Sequence, residues 1–254
     1  MNSPSILISN DDGIFSDGIY ALWEAMSEIG KTTVVAPNTE KSAVGHAITL
    51  SDPIRIQKVK RANGFVGFSV HGTPADSVKI AVKSIMDSKP DLIISGINAG
   101  ANVGQNLLYS GTISAATEGT FLGIPSIAIS LNSYEKCDFS GAKKVASKIV
   151  DAVLQNDLPR GTLLNVNVPS IPETNYLGYK ITKQGDLFFK DHFEKREDPR
   201  GRQYYWMTGV IVNPDSDIQW DGFALEKGYV SITPLHLKMT NIDIINELSE
   251  WNLN

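Results

Sequence analysis

The stretch Ile6–Gly18, ILISNDDGIFSDG, joins a short apolar run to a turn that carries two adjacent carboxylates. Ile6, Leu7 and Ile8 leave no polar face, as a strand covered on both sides requires, and the run stops at Asn10, Asp11, Asp12 and Gly13. Runs of the same kind recur as TTVVAP (Thr32–Pro37), DLIISG (Asp91–Gly96), PSIAIS (Pro125–Ser130) and TLLNVNVP (Thr162–Pro169). Between them lie helical patterns over Gly18–Ile29, Pro74–Met86, Ser114–Leu122 and Gly141–Leu154. This alternation predicts an α/β fold, a doubly wound and mostly parallel sheet.

Two segments break the rhythm. Ala47–Val70 alternates polar and apolar residues and is expected to form an antiparallel hairpin excursion. From Tyr176 onward, charge-rich FFKDHFEKREDPRGRQ precedes the aromatic YYWM, a projecting C-terminal arm rather than a βαβ unit. Its rings need a surface to cover them, either a partner subunit or the chain's own core. Asn241–Trp251 is expected to form a short amphipathic helix. The chain is thus expected to be a single domain, residues 1–254, with a core over about 1–175 and an arm and C-terminal segment over about 176–254.

The 254 residues carry a net charge of −5, which argues against a long basic track for a nucleic-acid polymer or an anionic membrane surface. Cys137 is the single cysteine, so neither an intrachain disulfide nor a multi-cysteine metal site is available. No basic segment leads into an apolar one at the N-terminus, and no apolar stretch approaches the roughly 18 residues of a membrane span. A cytoplasmic location without membrane attachment is expected.

In open α/β sheets, ligands bind beyond the carboxyl ends of the strands. Asp11 and Asp12 stand at such an end, where two ionised carboxylates repel and raise each other's pKa unless a cation lies beside them. A hard divalent ion answers that repulsion, although an isolated Asp-Asp-Gly can equally cap the next helix or shape a turn. Other strand ends bring Ser42 in NTEKSAVGH and Asn98 and Asn102 in INAGANVGQN, neutral oxygen donors that add no further charge. Ser110, Gly111 and Thr112 precede the small-residue helix ISAATEG and offer either a phosphate cradle or an ordinary helix cap. His46 and His71 flank turns near strand ends and serve either proton transfer or packing, while HGTPADSV presents Pro74 and Asp76 at a helix start.

Taken together and in order, ILISNDDGIFSDGI, VVAPNTEKSAVGHAITL, GTPADSVK, PDLIISGINAGANVGQNLLYSGTISAATEG and GYVSITPLH resemble the SurE family of survival-protein nucleotidases. The resemblance runs from about residue 5 to about residue 237 and extends to DPRGRQYYWM. It implies a Rossmann-like core and a metal-dependent phosphomonoesterase acting on nucleoside 5'- and 3'-monophosphates, with short-chain polyphosphate as a further substrate. One divalent ion per subunit, Mg²⁺ or Mn²⁺, would be held by Asp11, Asp12, Ser42 and Asn98, with Asp11 and Asp12 also the catalytic pair. Phosphate would be bound by Asn102, Ser110, Gly111 and Thr112. The resemblance also implies homodimers that pair into homotetramers by exchange of C-terminal segments.

Two residues depart from the family pattern: Asn106 stands where many members carry Asp, and Ala101 replaces a common Pro. His46 and Asn106 are the candidates for proton transfer or substrate contact. No aromatic residue in the stretches after Ser42 and Asn102 offers a stacking surface, so broad tolerance of the nucleoside is expected. A nucleotide-binding regulator without turnover and a metal-dependent hydrolase of non-phosphate substrates are the alternatives that phosphate release from AMP, GMP, 3'-AMP and polyphosphate, with and without EDTA, would separate.

Overall fold

The computed structural model describes residues 3–135 and 137–252. Its first half runs β1 (Ser5–Ser9), α1 (Asp17–Ser27), β2 (Lys31–Pro37), β3 (Ile56–Lys60), β4 (Val66–Val70), α2 (Pro74–Ile80), β5 (Leu92–Ala99) and α3 (Gly111–Phe121). The second half runs β6 (Ser126–Leu131), α4 (Ser140–Asn156), β7 (Thr162–Val168), β8 (Tyr179–Ile181), β9 (Phe188–Glu197), β10 (Gln203–Val212), α5 (Asp221–Glu226), β11 (Val230–His236) and α6 (Ile245–Ser249).

Nine strands form one sheet in the order β3-β4-β2-β1-β5-β6-β7-β11-β8. From β4 through β7 every neighbouring pair is parallel, while β3 and β11 join antiparallel to β4 and β7. The five apolar runs read from the sequence are β1, β2, β5, β6 and β7, all in this parallel block. The alternating side chains of β1 explain why the run has no polar face. Ile6 and Ile8 pack in the cluster that includes Leu22 of α1 and Val150 of α4, whereas Leu7 packs with Val78 of α2 and Ala115 of α3. Burying each such side chain contributes about 1.5–3 kcal/mol. Because β1 lies between β2 and β5, the chain winds outward in both directions from it, and the crevice at the carboxyl ends of β1 and β5 is the topological switch point.

The expected excursion over Ala47–Val70 is half realised. β3 and β4 form an antiparallel pair, but β4 also joins β2 in parallel, and residues 47–55 form no strand. Thr49 explains the difference, since its N–H and hydroxyl both donate to Asp76, at 3.0 and 2.6 Å, and so leave the strand ladder. Asp76 is also the acid of a capping box with Thr73, so it ties this loop to the start of α2. The helix expected to Met86 loosens at Ala81 into a π-type turn, and the expected Asn241–Trp251 helix shortens to α6.

β9 and β10 form a separate antiparallel hairpin of ten residues per strand. Its tip turns on Asp198, which accepts from the N–H groups of Arg200 and Arg202. Its base is anchored, with Leu187 packed against Val103 and Leu225 and its carbonyl accepting from Gln105 N–H at 2.8 Å. Toward the tip, Phe193, Tyr205 and Trp206 stay more than half exposed, at 64, 57 and 58 %. The hairpin is the projecting arm.

Candidate active site

Asn10, rather than either aspartate, shapes the turn after β1. Its Oδ1 accepts from Gly13 N–H at 3.2 Å, and its Nδ2 donates to Gly13 O at 3.1 Å and to Ser16 Oγ at 2.8 Å. Ser16 then caps α1. With turn and cap both supplied, Asp11 and Asp12 are left for other work, which removes the capping of α1 as their explanation.

Asp11 is buried and faces the start of α3, where its Oδ1 accepts from the Thr112 hydroxyl. Burial pushes its carboxyl up, and the Thr112 hydroxyl with backbone N–H groups of residues 11, 111 and 112 pulls it back only in part. Gly111 allows this approach: a Cβ there would stand 2.6 Å from the Asp11 Cβ. Asp12 is pushed up to about 7, first by burial and then by the neighbouring Asp11 charge, with Glu40 adding a little. Ala99 N–H gives it one long hydrogen bond, 3.4 Å. Neither aspartate has a Lys or Arg ion-pair partner among the described residues.

Asp11, Ser42, Asn98, Asn102, Asn106 and Ser110 line one pocket of about 760 Å³ at the switch point. Ser42 is exposed and donates its hydroxyl hydrogen to Glu40 at 2.7 Å, which leaves its oxygen lone pairs for a ligand. Asn98 donates through Nδ2 to Gly100 O at 2.7 Å, which leaves its carbonyl oxygen for the same use. These oxygen donors fit a hard divalent ion: two carboxylates whose repulsion no side-chain cation relieves, and two neutral oxygens whose hydrogens point elsewhere.

Around α3 the donors are partly engaged already. Ser110 Oγ caps the helix by accepting from Ile113 N–H, and the Thr112 hydroxyl is held by Asp11. What the helix start can still offer an anion is therefore the Ser110 hydroxyl hydrogen and its positive dipole end, since the Gly111 and Thr112 N–H groups are directed at Asp11. Asn102 donates from Nδ2 to Ser130 Oγ at 2.9 Å, and its backbone is gripped by Asn165 and Asn167, whose amides donate to its carbonyl at 2.8 and 3.0 Å. Asn167 Oδ1 also accepts from Asn102 N–H at 2.8 Å. The sequence hinted at this pair only by two Asn at alternate positions in a buried strand.

The structure does not bring His46 into the pocket. Its Nε2 lies 3.2 Å from Oε2 of buried Glu118 and its ring stacks on Phe121, while Lys79 Nζ meets the other Glu118 oxygen at 2.6 Å. His71 is exposed. Glu118 and Lys79 cannot be read from the sequence as partners of His46 because they lie on other elements, far from it along the chain, whereas Glu40 lies only two residues from Ser42 in the same loop. The expectation that the stretch after Asn102 offers no ring is overturned by Tyr109, which lines the pocket, and further rings reach it from elsewhere, as Tyr134 after β6 and as Phe189 of the hairpin. A second cavity, about 590 Å³, lies by the loops preceding β6 and β7 and carries Lys89 and Arg160 in place of paired acids.

A sequence profile described as "Survival protein SurE" matches residues 6–191. The chain belongs to the SurE family. It is 46 % identical over 248 residues to the 5'-nucleotidase SurE of Syntrophobacter fumaroxidans, covering 98 % of this chain and 99 % of that protein. To the 5'-nucleotidase SurE of Chlorobium phaeobacteroides it is also 46 % identical, over 253 residues, covering 100 % of this chain and 98 % of that one. The crystal structure of the SurE protein from Aquifex aeolicus superposes with a TM-score of 0.85 at 41 % identity, covering 97 % of this chain and 98 % of that one. A SurE-type α/β core is therefore what the switch-point pocket is built on. Among the described residues no helix of this SurE-family chain is long and apolar enough to cross a membrane.

Proposed function

We propose that this chain is a metal-dependent 5'-nucleotidase that hydrolyses nucleoside 5'- and 3'-monophosphates, and short-chain polyphosphate besides, to release phosphate. The observation that carries the reading is the unneutralised Asp11–Asp12 pair at the switch point, with Asp12 pushed up to about 7 and Asp11 lining the same pocket as the neutral oxygens of Ser42 and Asn98. Pure binding of an anionic nucleotide would gain nothing from two more negative charges.

A divalent ion, Mg²⁺ or Mn²⁺, held by Asp11, Asp12, Ser42 and Asn98 would supply charge neutralisation, polarisation of the phosphate and a lowered pKa for the attacking water. The chain's own residues do the rest. Thr112 orients the Asp11 carboxylate, and Glu40 orients the Ser42 hydroxyl. The α3 start, through its positive dipole end, together with Ser110 and Asn102, holds phosphate oxygens as charge redistributes, while the Gly111 and Thr112 N–H groups steady Asp11. Asp12, the less tightly bonded carboxylate, holds or accepts the proton of the attacking water. Asn106 lines the pocket and contacts substrate but cannot act as a base; His46 acts on the loop that carries Ser42 rather than on substrate.

The exposed hairpin rings and the apolar tail, with Met239 at 91 % and Ile242 at 71 % exposure, are too large an apolar surface for a lone subunit. They suit a homodimer, pairing into a homotetramer, that exchanges these C-terminal segments in the cytoplasm. Phosphate release from AMP, GMP, 3'-AMP and short polyphosphate with Mn²⁺ or Mg²⁺, against an EDTA control, tests the reading. No metal-dependent release from any of them would refute it.

A further inference from the structure

The pocket has two chemistries. Asp11, Ser42, Asn98 and Asn102 are among its polar lining and Tyr109, Tyr134, Phe189, Met207 and Ile211 among its apolar lining, with Asp191 of the hairpin a further carboxylate beside them, and no Lys or Arg lines it among the described residues. The Tyr134 ring lies against the backbone of Gly100, in the loop that bears Asn98 and Asn102; a Cβ at Gly100 would stand 2.3 Å from its Cε1. Gly100 also has φ +107, a conformation open to glycine, so the ring is seated on the same loop as two of the proposed ligand-binding residues. Across the pocket, the base of the hairpin is fixed by Leu187 and Gln105. Ring surface that is held in place yet open to solvent, with Tyr134 at 68 % and Phe189 at 38 % exposure, is surface prepared for a flat apolar ligand.

We propose that Tyr134 and Phe189 of the hairpin form a slot that grips the ring faces of the nucleobase, so that the C-terminal arm is part of the substrate site as well as an assembly surface. The inference rests on the phosphomonoesterase reading and adds to it a source of selectivity. A slot of this kind holds any base by its π face and favours nucleotides over phosphate esters that lack a base.

The test compares AMP with ribose 5-phosphate, which shares the phosphate and sugar but lacks the base, in the wild type and in Tyr134→Ala, Phe189→Ala and Tyr134→Phe. Both alanine sites are partly exposed, so neither change opens a buried cavity. The wild type is expected to show a lower KM for AMP than for ribose 5-phosphate, and each alanine variant to lose about tenfold of that preference, the loss of one base–aromatic stack. Tyr134→Phe is expected to keep it. Equal changes in KM for the two esters, or no change, overturn the slot. Should the wild type release phosphate from neither ester with Mn²⁺ present, the nucleotidase reading fails instead. AMP affinity by calorimetry then decides the slot, a roughly tenfold loss in the alanine variants keeping it and equal affinity discarding it.

Discussion

Thr112 donates its hydroxyl hydrogen to Asp11 across 101 residues of sequence, and the glycine beside it is what lets the two elements meet. A hydroxyl that holds a metal-binding carboxylate contributes about 10–100-fold to affinity or activity. Thr112→Val is expected to reduce kcat/KM and Mn²⁺ affinity by that range, with Thr112→Ser recovering most of it. Wild-type Mn²⁺ affinity in the valine variant would show that the hydroxyl only fills space.

Asp12 makes a prediction about pH. Its folded carboxyl is pushed up to about 7, against about 4 in an unfolded chain. Folding therefore takes up a proton between those values, and the stability contributed by this group falls as pH rises through that window. In EDTA, the stability of Asp12→Asn relative to wild type should increase from about pH 4 to about pH 7, followed by chemical denaturation. Added Mn²⁺ should raise the Tm of the wild type and leave that of the variant in place. A stability difference that is flat across the window contradicts the assignment.

Glu118 has the opposite sign. Burial alone would raise its carboxyl, but hydrogen bonds and charges from His46 and Lys79 outweigh it and hold the carboxyl below the usual range. The stability it contributes is present above the usual carboxylate pKa and lost as pH falls through the depressed folded value. Glu118→Gln is expected to cost about 1 kcal/mol or more near neutral pH, discounted for the partly exposed partners, and the cost should shrink on acidification. Urea titrations at neutral and acid pH check both parts.

Ser9 and Ser95 are register partners on β1 and β5, and both hydroxyls are buried without a hydrogen-bond partner among the described residues. Burying an unmade hydroxyl bond costs about 1–3 kcal/mol. Ser9→Ala and Ser95→Ala are each expected to keep or raise stability, by up to about 1 kcal/mol, in denaturant melts. A clear loss in either would mean the hydroxyl is engaged in solution.

Much of the site could be read from the sequence because the sheet places strand ends together by rule. Asp11 and Ser42 follow the ends of β1 and β2 and Asn98 lies in the last residues of β5, so the three come to one sheet edge once their strands are parallel, whatever the helices between them do. The supports could not be read in that way. Asn165 and Asn167 have the signature of a polar strand face, and only the pairing of β7 with β6 brings that face onto Asn102. Thr49 left the expected strand because a helix-capping acid competed successfully for its N–H. The arm's aromatic content predicted a covering surface but not that Phe189 would close the pocket.

The order of the pieces along the chain also matters for biosynthesis. The acidic turn at Asp11 and Asp12 leaves the ribosome first, yet the hydroxyl that steadies it arrives only with Thr112 and the hairpin that walls the cavity later still. A nascent chain therefore exposes bare carboxylates long before the residues that enclose them are in place.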